Sequence, residues 1–146
     1  MSTLSTHIKA SPSEVFAVLA DGWTYSNWVV GTSHIRAVED QWPAPGSTLH
    51  HAVGAWPLIT RDKTVVQSVT PEREIVLRAR GSQLGEAVVT IELRDDADGC
   101  AVTMHETPIS GLGRWLHNPV NEALLTKRNQ ESLRRLRATV ERRTEA

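Results

Sequence analysis

Cysteine is almost missing from this chain. Among 146 residues only Cys100 occurs, so no intrachain disulfide can form and a Cys-rich metal site is excluded. A lone cysteine suits a reducing cytoplasm. An excess of either charge is missing too: 16 Lys and Arg stand against 17 Asp and Glu, a formal net charge of -1. No global field therefore draws DNA or acidic lipid. No stretch approaches the roughly 20 apolar residues that cross a bilayer. Residues 1–10 lack the basic-then-apolar order of a signal peptide. These features predict a soluble cytoplasmic protein with no DNA partner and no stable membrane insertion.

Repeats and low-complexity linkers are also absent, and the length fits a single domain over 1–146. The motifs of several chemistries are missing as well. There is no H-E-x-x-H, no C-x-x-C and no acidic calcium loop. Gly46-Ser47 and Gly81-Ser82 lack the frame of a nucleophile elbow. Gly111-Leu112-Gly113 lacks the Lys-Ser/Thr ending of a phosphate loop. It reads as a flexible gate beside Trp115, or as an ordinary link between strand and helix. His50-His51 and His105-Glu106 are adjacent pairs on strands. Neighbouring strand residues point to opposite faces, so neither pair serves one ion. No metal site and no cofactor are implied.

What is present is a change of period along the chain. Leu4 to Ala10 alternates as a strand, with Leu4, Thr6, Ile8 and Ala10 on one face. Ser11-Pro12-Ser13-Glu14 then opens a helix. Ser11 is placed to cap it, Pro12 suits the first turn, and Glu14 completes a capping box. A short second helix carries Trp23, Tyr25 and Trp28 and ends at Gly31. From there the period is two. Strands are predicted at 33–40, 48–56, 63–69, 74–80, 86–94 and 100–106, with turns at Trp42–Gly46, Pro71-Glu72 and Asp95–Gly99. Pro108, Gly111 and Gly113 mark an irregular bridge. From about Asn118 a long helix is predicted. Its stripe of Leu125, Leu133, Leu136 and Val140 falls within roughly 80°.

The fold class is therefore α+β: a curved antiparallel sheet of about seven strands around a long C-terminal helix, with two short helices after the first strand. A curved sheet gripping one helix leaves space between them. The segments Ile8–Phe16, Trp28-Val29, Val102–Glu106 and Arg128–Leu136 carry a resemblance to the START-like, or SRPBCC, superfamily of helix-grip proteins, whose members include polyketide cyclase/dehydrase-like and lipid-transfer proteins. The resemblance covers nearly the whole chain and implies an internal apolar cavity. It does not choose among ligand carriers, cyclases and interaction modules.

Polar residues on inward faces are the informative ones, because burying them is costly unless they find partners. Asn129 sits at the centre of the helix stripe, His51 is in phase with Leu49 and Val53, and Glu106 is in phase with Val102 and Met104. Each also has an ordinary role open to it: bridging backbone, a bonded core histidine, a wet strand end. The predicted ligand-binding set is Trp28, His51, Val53, Leu77, Val89, Met104, Glu106, Trp115, Leu125 and Asn129. Five tryptophans against one Phe and one Tyr supply large rings that could wall a pocket or simply pack. Cys100 reads as a small core residue. The expected function is binding of an apolar or aromatic small molecule such as a lipid, polyketide or isoprenoid. The alternative is a polyketide-type cyclase or dehydratase using His51 and Glu106 as base and acid. The weaker alternative is a protein or RNA interaction module built on the basic helix, with Lys127, Arg128, Arg134, Arg135, Arg137, Arg142 and Arg143. A homodimer is left open.

Overall fold

The computed structural model describes residues 2–53, 60–81, 85–110 and 119–144. The described elements are β1 (Ser2–Ile8), α1 (Pro12–Ala20), a 3-10 turn (Gly22–Thr24), α2 (Tyr25–Trp28), β2 (Thr32–Val38), β3 (Thr48–Val53), β4 (Thr60–Thr70), β5 (Glu74–Gly81), β6 (Gly85–Asp96), β7 (Gly99–Ser110) and α3 (Pro119–Thr144). The seven strands form one antiparallel sheet in the order β1-β7-β6-β5-β4-β3-β2. Strands β2 to β7 are a meander. The first strand returns to the far edge beside β7, so α1 and α2 must cross between the two edges.

Local chemistry explains the boundaries. Ser11 Oγ accepts from the Glu14 amide at 3.1 Å, and the Glu14 carboxylate accepts from the Ser11 amide at 3.2 Å, the reciprocal capping box that starts α1. Asp21 ends α1 and accepts from the Trp23 amide at 3.2 Å, which starts the next turn. The β6–β7 hairpin closes through Ala97 and Asp98 alone. Register shifts interrupt the ladders in β2, β4 and near Glu86 of β6. Each extra residue bends its strand and raises the local twist, which curves the sheet.

One boundary differs from the sequence expectation. Pro108 lies inside β7, not in a bridge after it. The pairing of β1 with β7 ends at Ser2–Glu106, so beyond that point β7 is an edge. Pro108 also sits at the register shift opposite Ala87. A residue without an N–H is tolerated at an edge and at a bulge. The strand expected at 48–56 runs past Val53 into residues outside the described set.

Inward phases follow the alternation. Leu49 and His51 of β3, Ile75 and Leu77 of β5, Ile91 and Leu93 of β6, and Cys100, Val102, Met104 and Glu106 of β7 are all buried. From α3, Leu133, Leu136 and Val140 join the same core as Ile8, Val15, Val18 and Leu19. Cross-links hold α3 in place: the Val30 amide donates to Ser132 Oγ at 3.1 Å, the Lys9 amide to Glu141 Oε2 at 3.0 Å, and Arg143 pairs with Asp21 at 3.1 Å.

Gly99 meets the tightest backbone approach. A Cβ added there would collide with the carbonyl oxygen of Ile8, where β1 passes the hairpin. Gly46 has φ of +86° but nothing within 4 Å of an added Cβ. Gly99→Ala should therefore cost about 2 kcal/mol or more through overpacking, and Gly46→Ala about 1 kcal/mol through backbone conformation alone. Urea unfolding midpoints check the order. An unshifted midpoint for Gly99→Ala would mean that β1 does not press on the hairpin.

Candidate functional site

One group of polar side chains inside the molecule lies around Tyr25. Its ring lies 4.9 Å from the Trp28 ring, edge to face, and 6.1 Å from the His51 ring. Residues three apart on one short helix share a face, which is why α2 turns both Tyr25 and Trp28 inward. Thr64 Oγ1 lies 3.1 Å from His51 Nε2 and also hydrogen-bonds with the Tyr25 hydroxyl. In the β3–β4 register His51 faces Asp62 and Leu49 faces Thr64, so Thr64 is the diagonal neighbour of His51 on the inner face. Tyr25, Thr64 and His51 thus form a buried hydrogen-bonded chain.

A second polar group enters from β7 and α3. Arg128 Nη2 donates to both oxygens of Glu106 at 2.6 Å, and lies 3.4 Å from Asn129 Oδ1. The side chain of Glu106 is 9% exposed and that of Arg128 is 42% exposed, so the pair stands where the interior meets solvent. Across the inner face Glu106 is flanked by Ser2 on β1 and by Val89 on β6, and Val89 in turn faces Leu77. The charges of Glu106 and Arg128 both act on Tyr25, which ties the two groups together.

Among the described residues, four buried polar atoms have no hydrogen-bond partner: Ser2 Oγ, Trp28 Nε1, His51 Nδ1 and Asn129 Nδ2. Their residues are 6%, 2%, 6% and 3% exposed. Buried polar atoms are normally satisfied, and each exception calls for an account.

Protonation follows from burial. Burial pushes the Tyr25 hydroxyl up to about 12; the bond with Thr64 opposes this, the charge of Glu106 adds to it, and that of Arg128 opposes it. Tyr25 therefore keeps its proton at neutral pH. Burial likewise lowers the His51 pKa, against the pull of Asp62 and with the help of Arg36 and His50. Neutral His51 has one ring nitrogen that donates and one that accepts.

The predicted residues are distributed as follows. Trp28, His51, Leu77, Met104, Glu106 and Asn129 are buried, and Val53, Val89 and Leu125 are half-buried. Trp115, Trp56 and the Gly111–Gly113 segment lie outside the described residues. His51 and Glu106 do not bond to each other; Glu106 bonds to Arg128, and Tyr25 lies within the influence of both. His50 is half-buried beside buried His51, and His105 bonds Thr3 at 3.0 Å on the outer side. Trp23 is 59% exposed, whereas Trp42 is buried and donates to the Leu19 carbonyl at 3.3 Å.

Sequence reasoning passed over Ser2, Tyr25, Thr64 and Arg128 as site residues. Two signals were available. Tyr25 stands three before Trp28, and Asp62, Thr64 and Val66 share a phase on β4. The role of Arg128 had no linear signal, because it counts equally as one of the basic helix's surface charges.

Those other arginines are mostly engaged. Arg134 and Arg135 pair with Glu131, Arg137 with Glu141, and Arg143 with Asp21. The two arginine bonds hold the Glu131 carboxylate down to about 2. An open groove of about 650 Å³ runs along this outer face, between Thr24 and Asn27 on one side and Arg134, Arg135, Arg142 and Arg143 on the other.

With this geometry in hand, comparison with known proteins is informative. Residues 2–141 match the family model described as polyketide cyclase / dehydrase and lipid transport. No curated protein matches the sequence. Among solved structures, the chain resembles SA2116 from Staphylococcus aureus, a protein of unknown function, with TM-score 0.77 and 9% identity, over 99% of this chain and 95% of that one. Protein CV1439 from Chromobacterium violaceum gives TM-score 0.68 and 20% identity, over 97% and 99%. The di-domain ARO/CYC StfQ from the steffimycin biosynthetic pathway gives TM-score 0.73 and 11% identity, over 99% of this chain and 51% of that one. The present chain spans about half of that protein, and at these identities the likeness is one of fold.

Protonation of His51 yields a stability test. In the unfolded chain His51 takes up its proton near pH 6.5, and in the folded protein only at lower pH. Between those values the unfolded state binds more protons, so stability falls as pH drops below about 6.5 and levels off below the folded pKa. His51→Gln should flatten this limb relative to the parent in urea titrations from pH 7 to pH 5. Equal slopes for the two proteins would show that His51 is hydrated in the fold.

Proposed function

The chain belongs to the polyketide cyclase/dehydrase and lipid transport family, and from that premise we propose that it binds an apolar or aromatic small molecule between the sheet and α3. The observation that carries this reading is the set of buried, unpartnered polar atoms on Ser2, Trp28, His51 and Asn129, two of these residues packed on Tyr25, within a largely apolar core. Ligand sites have this composition: mostly apolar lining with a few convergent polar groups that fix orientation. The proposed contacts are Trp28, His51, Val53, Leu77, Val89, Met104, Glu106, Leu125 and Asn129, joined by Tyr25 and Thr64. The ligand class is a lipid, polyketide or isoprenoid. No helix of the described residues is long and apolar enough to cross a membrane. The proposed setting is the cytoplasm, where Cys100 stays reduced and buried.

A specific observation favours a second reading, a polyketide-type cyclase or dehydratase. Neutral His51 can accept a proton, Tyr25 keeps one to donate, and Thr64 links them. Binding is placed first because it needs only the polar atoms already described. The basic helix supports an interaction module less well, since its arginines are largely neutralised by carboxylates on the same protein.

Titration with the neutral probe N-phenyl-1-naphthylamine tests the reading. Saturable binding should quench tryptophan emission, with buried Trp28 the main reporter. Val89→Trp fills the inner face beside Glu106 and should weaken the probe by at least about tenfold while the far-UV circular dichroism stays unchanged. Probe affinity indifferent to Val89→Trp would move the site elsewhere, and no binding by the folded protein would remove it. Native mass spectrometry of protein from its own host would then identify the retained ligand.

A further inference from the structure

The interior polar atoms are not chemically symmetric, and their asymmetry selects a ligand. Trp28 Nε1 can only donate. The Asn129 amide could in principle face either way. Arg128 Nη2, a donor, lies 3.4 Å from its oxygen. Reversing the amide would set N–H against N–H, so Oδ1 is held toward Arg128 and Nδ2 is left as the free donor. His51 Nδ1 is the third unpartnered nitrogen, and its role follows the direction of the Tyr25–Thr64–His51 chain. When Tyr25 donates to Thr64 and Thr64 to His51 Nε2, the proton of His51 sits on Nδ1. When the chain runs the other way, Nδ1 accepts and the Tyr25 hydroxyl has a proton to offer. In both arrangements at least one further donor is available beside Trp28 and Asn129.

Charge imposes the second constraint. Arg128 is the cation at this site, and it is bonded to both oxygens of Glu106. A ligand carboxylate would meet an already neutralised guanidinium and the negative charge of Glu106. A hydrocarbon would leave the donors as unpaired as they are without a ligand, whereas an acceptor would satisfy them.

Resting on the reading of the interior as a ligand site, we propose that this site selects an uncharged carbonyl compound, a ketone or ester, over both the matching hydrocarbon and the matching carboxylic acid. A carbonyl oxygen accepts through two lone pairs and donates nothing, which matches buried atoms such as Trp28 Nε1 and Asn129 Nδ2 that can only donate.

Three probes of one size separate the possibilities: 2-acetylnaphthalene, 2-ethylnaphthalene and 2-naphthoate, titrated calorimetrically into the full chain at pH 8. The ketone should bind at least about tenfold more tightly than the ethyl compound, and the carboxylate more weakly than either. Asn129→Leu should lower the ketone-to-ethyl ratio at least about threefold while leaving it above one, because Trp28 Nε1 remains as a donor. Glu106→Gln, which leaves Arg128 unpaired, should raise the naphthoate affinity relative to the ketone by about tenfold. Equal binding of ketone and ethyl compound by the parent protein, or tightest binding of naphthoate, would overturn the selectivity while leaving the interior site standing. An unchanged ketone-to-ethyl ratio in folded Asn129→Leu would remove Asn129 from it. Failure of all three probes to bind would sink the interior site and this inference together.

Discussion

The inner face of the sheet has to be covered, and the stripe on α3 does the covering. Seven antiparallel strands present Ile8, Leu49, Leu77, Ile91, Val102 and their neighbours to one side. An antiparallel sheet can leave one face in water, but an apolar one cannot stay there. Leu133, Leu136 and Val140 meet that face at helical spacing, and α1 adds Val15, Val18 and Leu19. Because strand side chains alternate with a period of two, a one-residue slip in any ladder would exchange the buried row for the exposed one. The register and the helix therefore constrain each other, and the bulges that curve the sheet are compatible with both.

Polar residues in that interface are conspicuous because the contact is otherwise apolar. Asn129 interrupts the stripe between Leu125 and Leu133, and Glu106 closes the buried row that begins at Cys100. The structure answers each differently. Glu106 receives Arg128 across the boundary with solvent, so its charge is matched where the matching partner can stay partly hydrated. Asn129 has only its oxygen accounted for, at 3.4 Å from the same arginine. One arginine thus serves two roles: it neutralises a carboxylate and orients an amide.

Most of the architecture was legible in the sequence, for a physical reason. The alternation in 74–80, 86–94 and 100–106 reports burial on one face directly, and the capping box at Ser11 is a local interaction between residues three apart. Strand ends were read short, because β6 and β7 extend each other beyond the alternating core to Asp96 and Ser110. Pro108 looked like a terminator, since nothing in one dimension shows that its strand has lost a neighbour by that point. The candidate site was half legible. Inward phase pointed to His51, Glu106 and Asn129. It could not reveal that Tyr25 packs on His51 within reach of the charge of Glu106, because α2 reaches the sheet only through the crossing between its two edges.

Unpaired buried donors cost stability in the absence of a ligand, on the order of 1–3 kcal/mol each. A core selected for stability alone would place leucine where Asn129 stands, since leucine is close to it in size and leaves no donor unpaired. The proposed ligand site would account for the difference: sites built to bind hold groups that are frustrated until the ligand arrives. The neutral Tyr25–Thr64–His51 chain fits the same logic. It keeps hydrogen-bonding capacity inside an apolar wall without a net charge, since burial holds Tyr25 protonated and His51 unprotonated together. A formally charged pair in that position would need water or a counterion to be stable. The ion pair between Glu106 and Arg128 stands at the solvent margin of the candidate site, where that need is met.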